Sequence, residues 1–179
     1  MKEPVSRRRF LGNSSLAAAG VALGSQGAAF AQTGEAGQEA PIKVLAFSTS
    51  LRKGRSTAKS LAVCLDAAKA VSPRIDTELV ELAGMSIPTQ PIVGEPVPEG
   101  QKDDFPALAE KLLDPKVRGI VIGSPVYFGV MTSLCKAFLE RWVVLRKEFS
   151  LSGKVAGVLA VGAARNGGQE LTIQSIQTV

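Results

Sequence analysis

The chain has 179 residues, with 21 Lys and Arg against 16 Asp and Glu, no histidine and two cysteines. Without histidine there is no Ser-His-Asp triad, no histidine general base and no histidine-ligated zinc, and two cysteines make neither a disulfide framework nor a four-cysteine metal site. The formal charge of +5 is concentrated at the start: losing residues 1–31 removes Lys2, Arg7, Arg8, Arg9 and Glu3 and leaves +2, and no Lys/Arg run interleaved with aromatics follows, so nucleic acid is not an expected partner.

Residues 1–31 read as an export signal. Ser6-Arg7-Arg8-Arg9-Phe10-Leu11 carries the twin-arginine pattern, the stretch from Leu11 to Phe30 is apolar and uncharged, and Ala29-Phe30-Ala31 suits a small-x-small cleavage site. The stretch is rich in Ala and Gly and short of Leu and Ile, which favours cleavage over a retained membrane anchor. The expected location is periplasmic or otherwise exported, with the membrane met only in transit. Residues 32–40 are a polar linker, and the 148 residues from Gln32 are enough for one domain with a single core.

Ile42 to Ser48 is a short apolar run suited to a buried parallel strand, and a loop follows from Ser50 to Ser56. From Thr57 to about Val71, Ala58, Leu61, Ala62 and Leu65 recur at helical spacing, with Ser56 or Thr57 placed to cap. Thr77 to Leu82 is a second strand, and prolines at 88, 91, 96 and 98 make residues 83–100 a loop. Asp103 or Asp104 caps a helix with Pro106 in its first turn and Phe105, Leu108 and Leu112 on one stripe. Gly119 to Gly123 is the third strand. Val130 to about Leu145 is predicted as one helix bearing Leu134, Phe138 and Trp142, Lys154 to Val161 as the fourth strand, and a last helix starts near Gln169. Cys64 and Cys135 both fall in helices, where thiols usually serve as small core hydrophobes; the start of a helix lowers a thiol pKa, so Cys135 is weighed for a minor redox role. Alternating strands and helices define an α/β chain with a doubly wound parallel sheet.

Ligands of such sheets bind at the carboxyl ends of the strands, and three strands here run into chemically distinctive loops. After the first strand, Ser48-Thr49-Ser50-Leu51-Arg52-Lys53-Gly54-Arg55-Ser56-Thr57 joins five hydroxyls and three cations to a helix N-terminus, a combination suited to a phosphate dianion. It has neither the Gly-Lys-Ser/Thr of a Walker A loop nor a dinucleotide glycine triplet. After the third strand, Ser124-Pro125-Val126-Tyr127-Phe128-Gly129 offers flat faces to a ring such as isoalloxazine, on a backbone fixed by proline and brought close by glycine. After the fourth strand, Gly162-Ala163-Ala164-Arg165-Asn166-Gly167-Gly168 leaves room for a ring system and offers N–H groups to its N1/O2 side. Each loop alone has an ordinary reading, as a capping turn, core aromatics or a Gly-Gly turn; together they converge on one sheet edge.

These loops resemble those of the NADPH-dependent FMN reductase family, whose fold is flavodoxin-like. Ser50-Leu51-Arg52-Lys53-Gly54-Arg55-Ser56 is similar to its phosphate loop, Gly123-Ser124-Pro125-Val126-Tyr127-Phe128-Gly129 closely resembles its second loop, and Gly167-Gly168-Gln169-Glu170 resembles its third. The resemblance implies that Ser50, Arg52, Ser56 and Thr57 hold the FMN phosphate, with Arg55 adding charge. It places Pro125, Val126, Tyr127 and Phe128 along the ring and Ala163, Arg165, Asn166 and Gly167 on its other side. It also implies NAD(P)H as co-substrate and a small-molecule electron acceptor such as a quinone, a free flavin or a metal ion, with no catalytic side chain or metal needed. A homo-oligomer is expected, and an exported flavoprotein suits the twin-arginine route, which carries folded, cofactor-loaded proteins. An exported flavodoxin-like electron carrier with another donor is the alternative, although the acidic surface common in flavodoxins is missing. Leu51 and Arg55 stand where the family's phosphate loop usually has proline and asparagine. Residues 83–100 hold no cysteine where iron–sulfur relatives carry a cluster. Residues 41–179 are therefore expected to form a flavodoxin-like FMN-binding domain of strand order 2-1-3-4-5 with its fifth strand missing from the sequence.

Overall fold

The computed structural model describes residues 40–146 and 148–178. The export signal expected over residues 1–31 and all of the expected linker but residue 40 lie outside the described residues. Four parallel strands, β1 (Ile42–Ser48), β2 (Ile75–Glu81), β3 (Val117–Pro125) and β4 (Val155–Val161), form one sheet in the order β2-β1-β3-β4. Between and after them run α1 (Ser56–Val71), α2 (Phe105–Leu113), α3 (Ser133–Glu140), the short α4 (Val143–Arg146) and α5 (Gln169–Gln177). This is the α/β arrangement expected from the alternation of strands and helices, in the flavodoxin-like strand order that the family resemblance implied.

Both faces of the sheet are covered, and β1 is apolar without a break from Val44 to Phe47. Alternate residues point to opposite sides. Leu45 and Phe47 join Ile120 and Ile122 in the larger cluster beneath α2, α3 and α5, whereas Ala46 packs with Leu61 and Leu65 of α1 on the other face. Phe138 of α3 centres the larger cluster, its ring centroid 4.9 Å from Phe47, 6.3 Å from Phe105 and 5.5 Å from Trp142. Gly123 lets α1 settle closely on β3, because a Cβ there would lie 2.7 Å from Leu61 Cδ1. Among the described strands β4 pairs only with β3, and Val155 at its start is exposed.

Several boundaries differ from the sequence expectation for identifiable reasons. Neither Ser56 nor Thr57 caps α1: both lie inside its first turn, and the N-cap residue is Arg55, whose side chain has no acceptor to offer. At α2 the two acids divide the work, with Asp103 Oδ1 accepting from Phe105 N–H at 3.0 Å and Asp104 Oδ2 accepting from Ser86 N–H at 2.8 Å. The helix expected over residues 130–145 starts later and is broken. Thr132 caps it by accepting from Cys135 N–H at 3.1 Å, and beyond Glu140 the bonds tighten to three-residue spacing, Trp142 N–H to Leu139 O and Leu145 N–H to Trp142 O. The loop over residues 83–100 contains one 3-10 turn, Gln90–Val93. Cys64 is exposed on α1 and does not join the core, since it lies off the buried stripe of Ala58, Leu61 and Leu65.

At the break between α3 and α4, Arg141 is buried and ties down the proline-rich loop. Its Nη1 donates to Pro88 O at 2.7 Å, its Nη2 to Asp103 Oδ2 at 2.8 Å, and its guanidinium lies 4.6 Å from the Phe105 ring centroid. Removing one partner of such a pair strands the other away from water. Arg141→Ala is expected to lower the unfolding free energy by about 3 kcal/mol, measured by urea denaturation.

Candidate functional site

The carboxyl edge of the sheet carries the three loops, and buried hydrogen bonds join them. Thr49 donates to Gly123 O from both its backbone N–H and its hydroxyl, each at 2.9 Å, and Thr132 Oγ1 donates to Thr49 O at 2.9 Å. Thr132 N–H in turn donates to Ser124 Oγ at 3.1 Å, and Val126 N–H to Val161 O at 2.9 Å links the second loop to the end of β4. The third loop touches the second where Gly168 (φ +95°) passes Gly129: a Cβ on Gly168 would sit 2.6 Å from Gly129 O.

In the first loop, Ser50 is buried and its Oγ both accepts from Arg52 N–H and donates to Arg52 O, at 3.1 Å each, so it shapes the turn. Arg52, Lys53, Arg55 and Ser56 are exposed, and Thr57 is buried beneath them. The N–H groups of the first turn of α1 have no intrahelical acceptor, and no side chain caps them. This end of α1 therefore presents backbone donors, a hydroxyl and three cations together, the donor set that a phosphate dianion requires. α3, which starts at the same edge, has one of its N-terminal donors, Cys135 N–H, occupied by the Thr132 side chain.

In the second loop Pro125 is buried, Val126 and Tyr127 are half-buried and Phe128 is fully exposed. Tyr127 and Val130 exchange backbone hydrogen bonds across a tight turn whose central residues, Phe128 (φ 52°) and Gly129 (φ 84°), are both left-handed, as in a type I′ turn. Asn-Gly is the usual pair there; a phenylalanine in that conformation is strained and is held so that its ring stands clear of the protein. In the third loop Ala163, Arg165 and Asn166 are exposed and Gly167 is half-buried. Gln169 clamps this loop, its Oε1 accepting from Gly167 N–H and its Nε2 donating to Ala164 O, both at 2.7 Å. Gly162 leaves room for that amide, because a Cβ there would lie 2.1 Å from Gln169 Nε2.

All the residues expected to bind a cofactor thus lie on the three loops or on the helix and strand ends that border them, at one edge of the sheet. Sequence reasoning gave no role to Thr132, which ties the start of α3 to the first loop, to Gln169, which clamps the third, or to Glu81 at the end of β2, whose Oε2 accepts from Gly54 N–H at 2.6 Å. A cavity of about 640 Å³ lies elsewhere, lined by Ile92, Leu139, Trp142, Phe149 and Leu151 among others. Cavity size is a poor guide in this molecule, because the loop edge is an open cradle.

An α/β sheet with an anion-ready helix end, an aromatic turn and a small-residue loop at its carboxyl edge defines a protein of the flavin-binding, flavodoxin-like class. The sequence profile of the NADPH-dependent FMN reductase family matches residues 42–179, and the chain belongs to that family. It is accordingly an oxidoreductase of the type that uses FMN with NAD(P)H as co-substrate. It is 37% identical over 140 residues to an iron–sulfur flavoprotein of Methanocaldococcus jannaschii, covering 75% of this chain and 69% of the relative. Over 60 residues, 34% of this chain and 29% of the relative, it is 47% identical to an NAD(P)H dehydrogenase (quinone) of Paracoccus denitrificans. Among solved structures it shares its fold with RosB carrying a bound riboflavin-phosphate intermediate (TM-score 0.60, 23% identity, 76% of this chain) and with an NADH:FMN oxidoreductase in its apo form (TM-score 0.54, 22% identity, 70% of this chain). The chain spans 57% and 61% of those two structures. Its own cysteines are Cys64 and Cys135 alone, and neither lies in the loop over residues 83–100.

A thiol role at this edge is not supported. Burial pushes the Cys135 thiol up to about 11, against smaller opposing hydrogen bonds with Thr49 and Ser124, and this outweighs the helix end beneath it. The buried Cys135 therefore stays a protonated thiol at pH 8. Iodoacetamide at that pH is expected to label the native chain once, at exposed Cys64, and the denatured chain twice, as counted by intact mass.

Proposed function

We propose that this chain is an FMN-dependent reductase that takes a hydride from NAD(P)H and passes the two electrons to a small-molecule acceptor of the quinone, flavin or metal-ion class. The observation that carries this reading is the uncapped N-terminus of α1 beneath Arg52, Arg55 and Ser56, joined by buried hydrogen bonds to an aromatic turn at the same edge. When bound, FMN supplies the hydride-accepting and electron-donating chemistry.

The chain's own residues bind and orient. Arg52 and Arg55 supply charge to the phosphate, Ser56 and the first-turn N–H groups of α1 supply hydrogen bonds, and Ser50 and Thr57 set the loop and helix end that present them. Pro125, Val126, Tyr127 and Phe128 form the wall along the ring, and Ala163, Arg165, Asn166 and Gly167 the wall across from it, with Gln169 holding the latter in shape. Ser6-Arg7-Arg8-Arg9-Phe10-Leu11 supports export by the twin-arginine route. A homo-oligomer completes the reading.

The test is the visible spectrum of the purified chain, recorded before and after NADPH is added without oxygen. Bands typical of flavin that bleach with NADPH are the expected result. Bands that persist until dithionite is added would replace this reading with an exported electron carrier served by another donor, and failure to bind FMN at all would overturn both. For the site itself, Arg52→Ala combined with Ser56→Ala is expected to weaken FMN binding more than Tyr127→Ala does, because phosphate anchoring is charge-assisted; flavin fluorescence titration measures it.

A further inference from the structure

A carboxylate stands inside the cationic loop. β1 and β2 end in register, Ser48 opposite Glu81, so the Glu81 side chain leaves the sheet at the edge where the first loop begins. Its Oε2 accepts the Gly54 N–H at 2.6 Å, a short charge-assisted bond at the turn where Gly54 adopts φ +66°. Only Arg55, the N-cap residue of α1, separates Gly54 from Ser56. The loop thus has two side-chain anchors: Ser50 Oγ fixes Arg52 at its start, and Glu81 fixes Gly54 at its far turn. Without the second, residues 53–55 would be tethered only by their ends, and ordering them would be charged against ligand binding.

We propose that Glu81 is a positioning residue for the FMN phosphate: by holding Gly54 it sets the path of Arg55 and the first-turn donors of α1 before the ligand arrives. The inference rests on the reading of the first loop as the phosphate site. A negative charge so near a dianion also repels it, and Arg52, Lys53 and Arg55 around the loop offset that repulsion. Positioning and repulsion act with opposite signs on affinity, so substitution separates them. A glutamine can accept the same hydrogen bond without the charge, whereas an alanine cannot.

The experiment titrates the full apo chain, as wild type, Glu81→Gln and Glu81→Ala, with FMN and with riboflavin by flavin fluorescence, and follows thermal unfolding of each. The expected result is a wild type that prefers FMN, a Glu81→Ala chain whose FMN dissociation constant rises about tenfold with riboflavin binding unchanged, and a Glu81→Gln chain within about threefold of wild type. Tighter FMN binding in both variants would overturn the inference by showing Glu81 to be a competitor of the phosphate. Unchanged affinities would overturn it as well, as would a parallel loss of both flavins in a chain that melts like wild type. A wild type that binds FMN and riboflavin equally would instead overturn the phosphate assignment, and the inference with it.

Discussion

Gly123 O accepts two hydrogen bonds from one residue, the backbone N–H and the hydroxyl of Thr49, and Thr49 O accepts the hydroxyl of Thr132. All of these groups are buried at the carboxyl edge. A hydroxyl withdrawn from water without a partner costs about 1–3 kcal/mol, so these side chains are satisfied only when the first loop, the end of β3 and the start of α3 are in place together. The cofactor loops are therefore set by the folded sheet edge, and their separation does not depend on a ligand to draw them together. The same polar knot surrounds Cys135, whose thiol is kept protonated by its burial there.

The parallel sheet was legible in the sequence because strand-like runs alternate with helical periodicity, whereas its strand order followed from the resemblance of the loops to the family. The loops were legible because their chemistry is contiguous: hydroxyls and arginines lie side by side in residues 48–57, and the aromatic turn occupies residues 125–129. The ties between loops were not, since Thr132 meets Thr49 across 83 positions and Thr49 meets Gly123 across 74. A lone glutamate ending a strand gave no sign that it would hold a glycine 27 residues earlier. The break after α3 was hidden for a similar reason: the hydrophobic pattern continues through Trp142, while the cause, Arg141 turning to Pro88 and Asp103, is tertiary. Cys64 misled because helix membership was read as burial, although its position falls off the buried stripe of α1.

Phe128 combines two costs, a left-handed backbone and an aromatic ring turned wholly to solvent. Among the described residues neither is offset by packing, since Phe128 joins neither core cluster. Strain of this kind persists where surrounding structure over-determines it, and the Tyr127–Val130 bridge with the Gly129–Gly168 contact does so here. The side chain that faces whatever approaches the edge is thus carried by one of its most constrained turns.

The contact between Gly129 and Gly168 also limits how such a chain can diversify. A Cβ on Gly168 would collide with Gly129 O, and Gly129, although it has space around it, is held to glycine by its φ of +84°, so an insertion that reroutes either loop has to be answered by a change in the other. Exposed positions such as 128, 163 and 165 can change without moving that frame. New electron acceptors would therefore be accommodated by swapping side chains on a fixed scaffold, so a mutational library aimed at altered acceptor preference belongs at those positions and should leave both glycines alone.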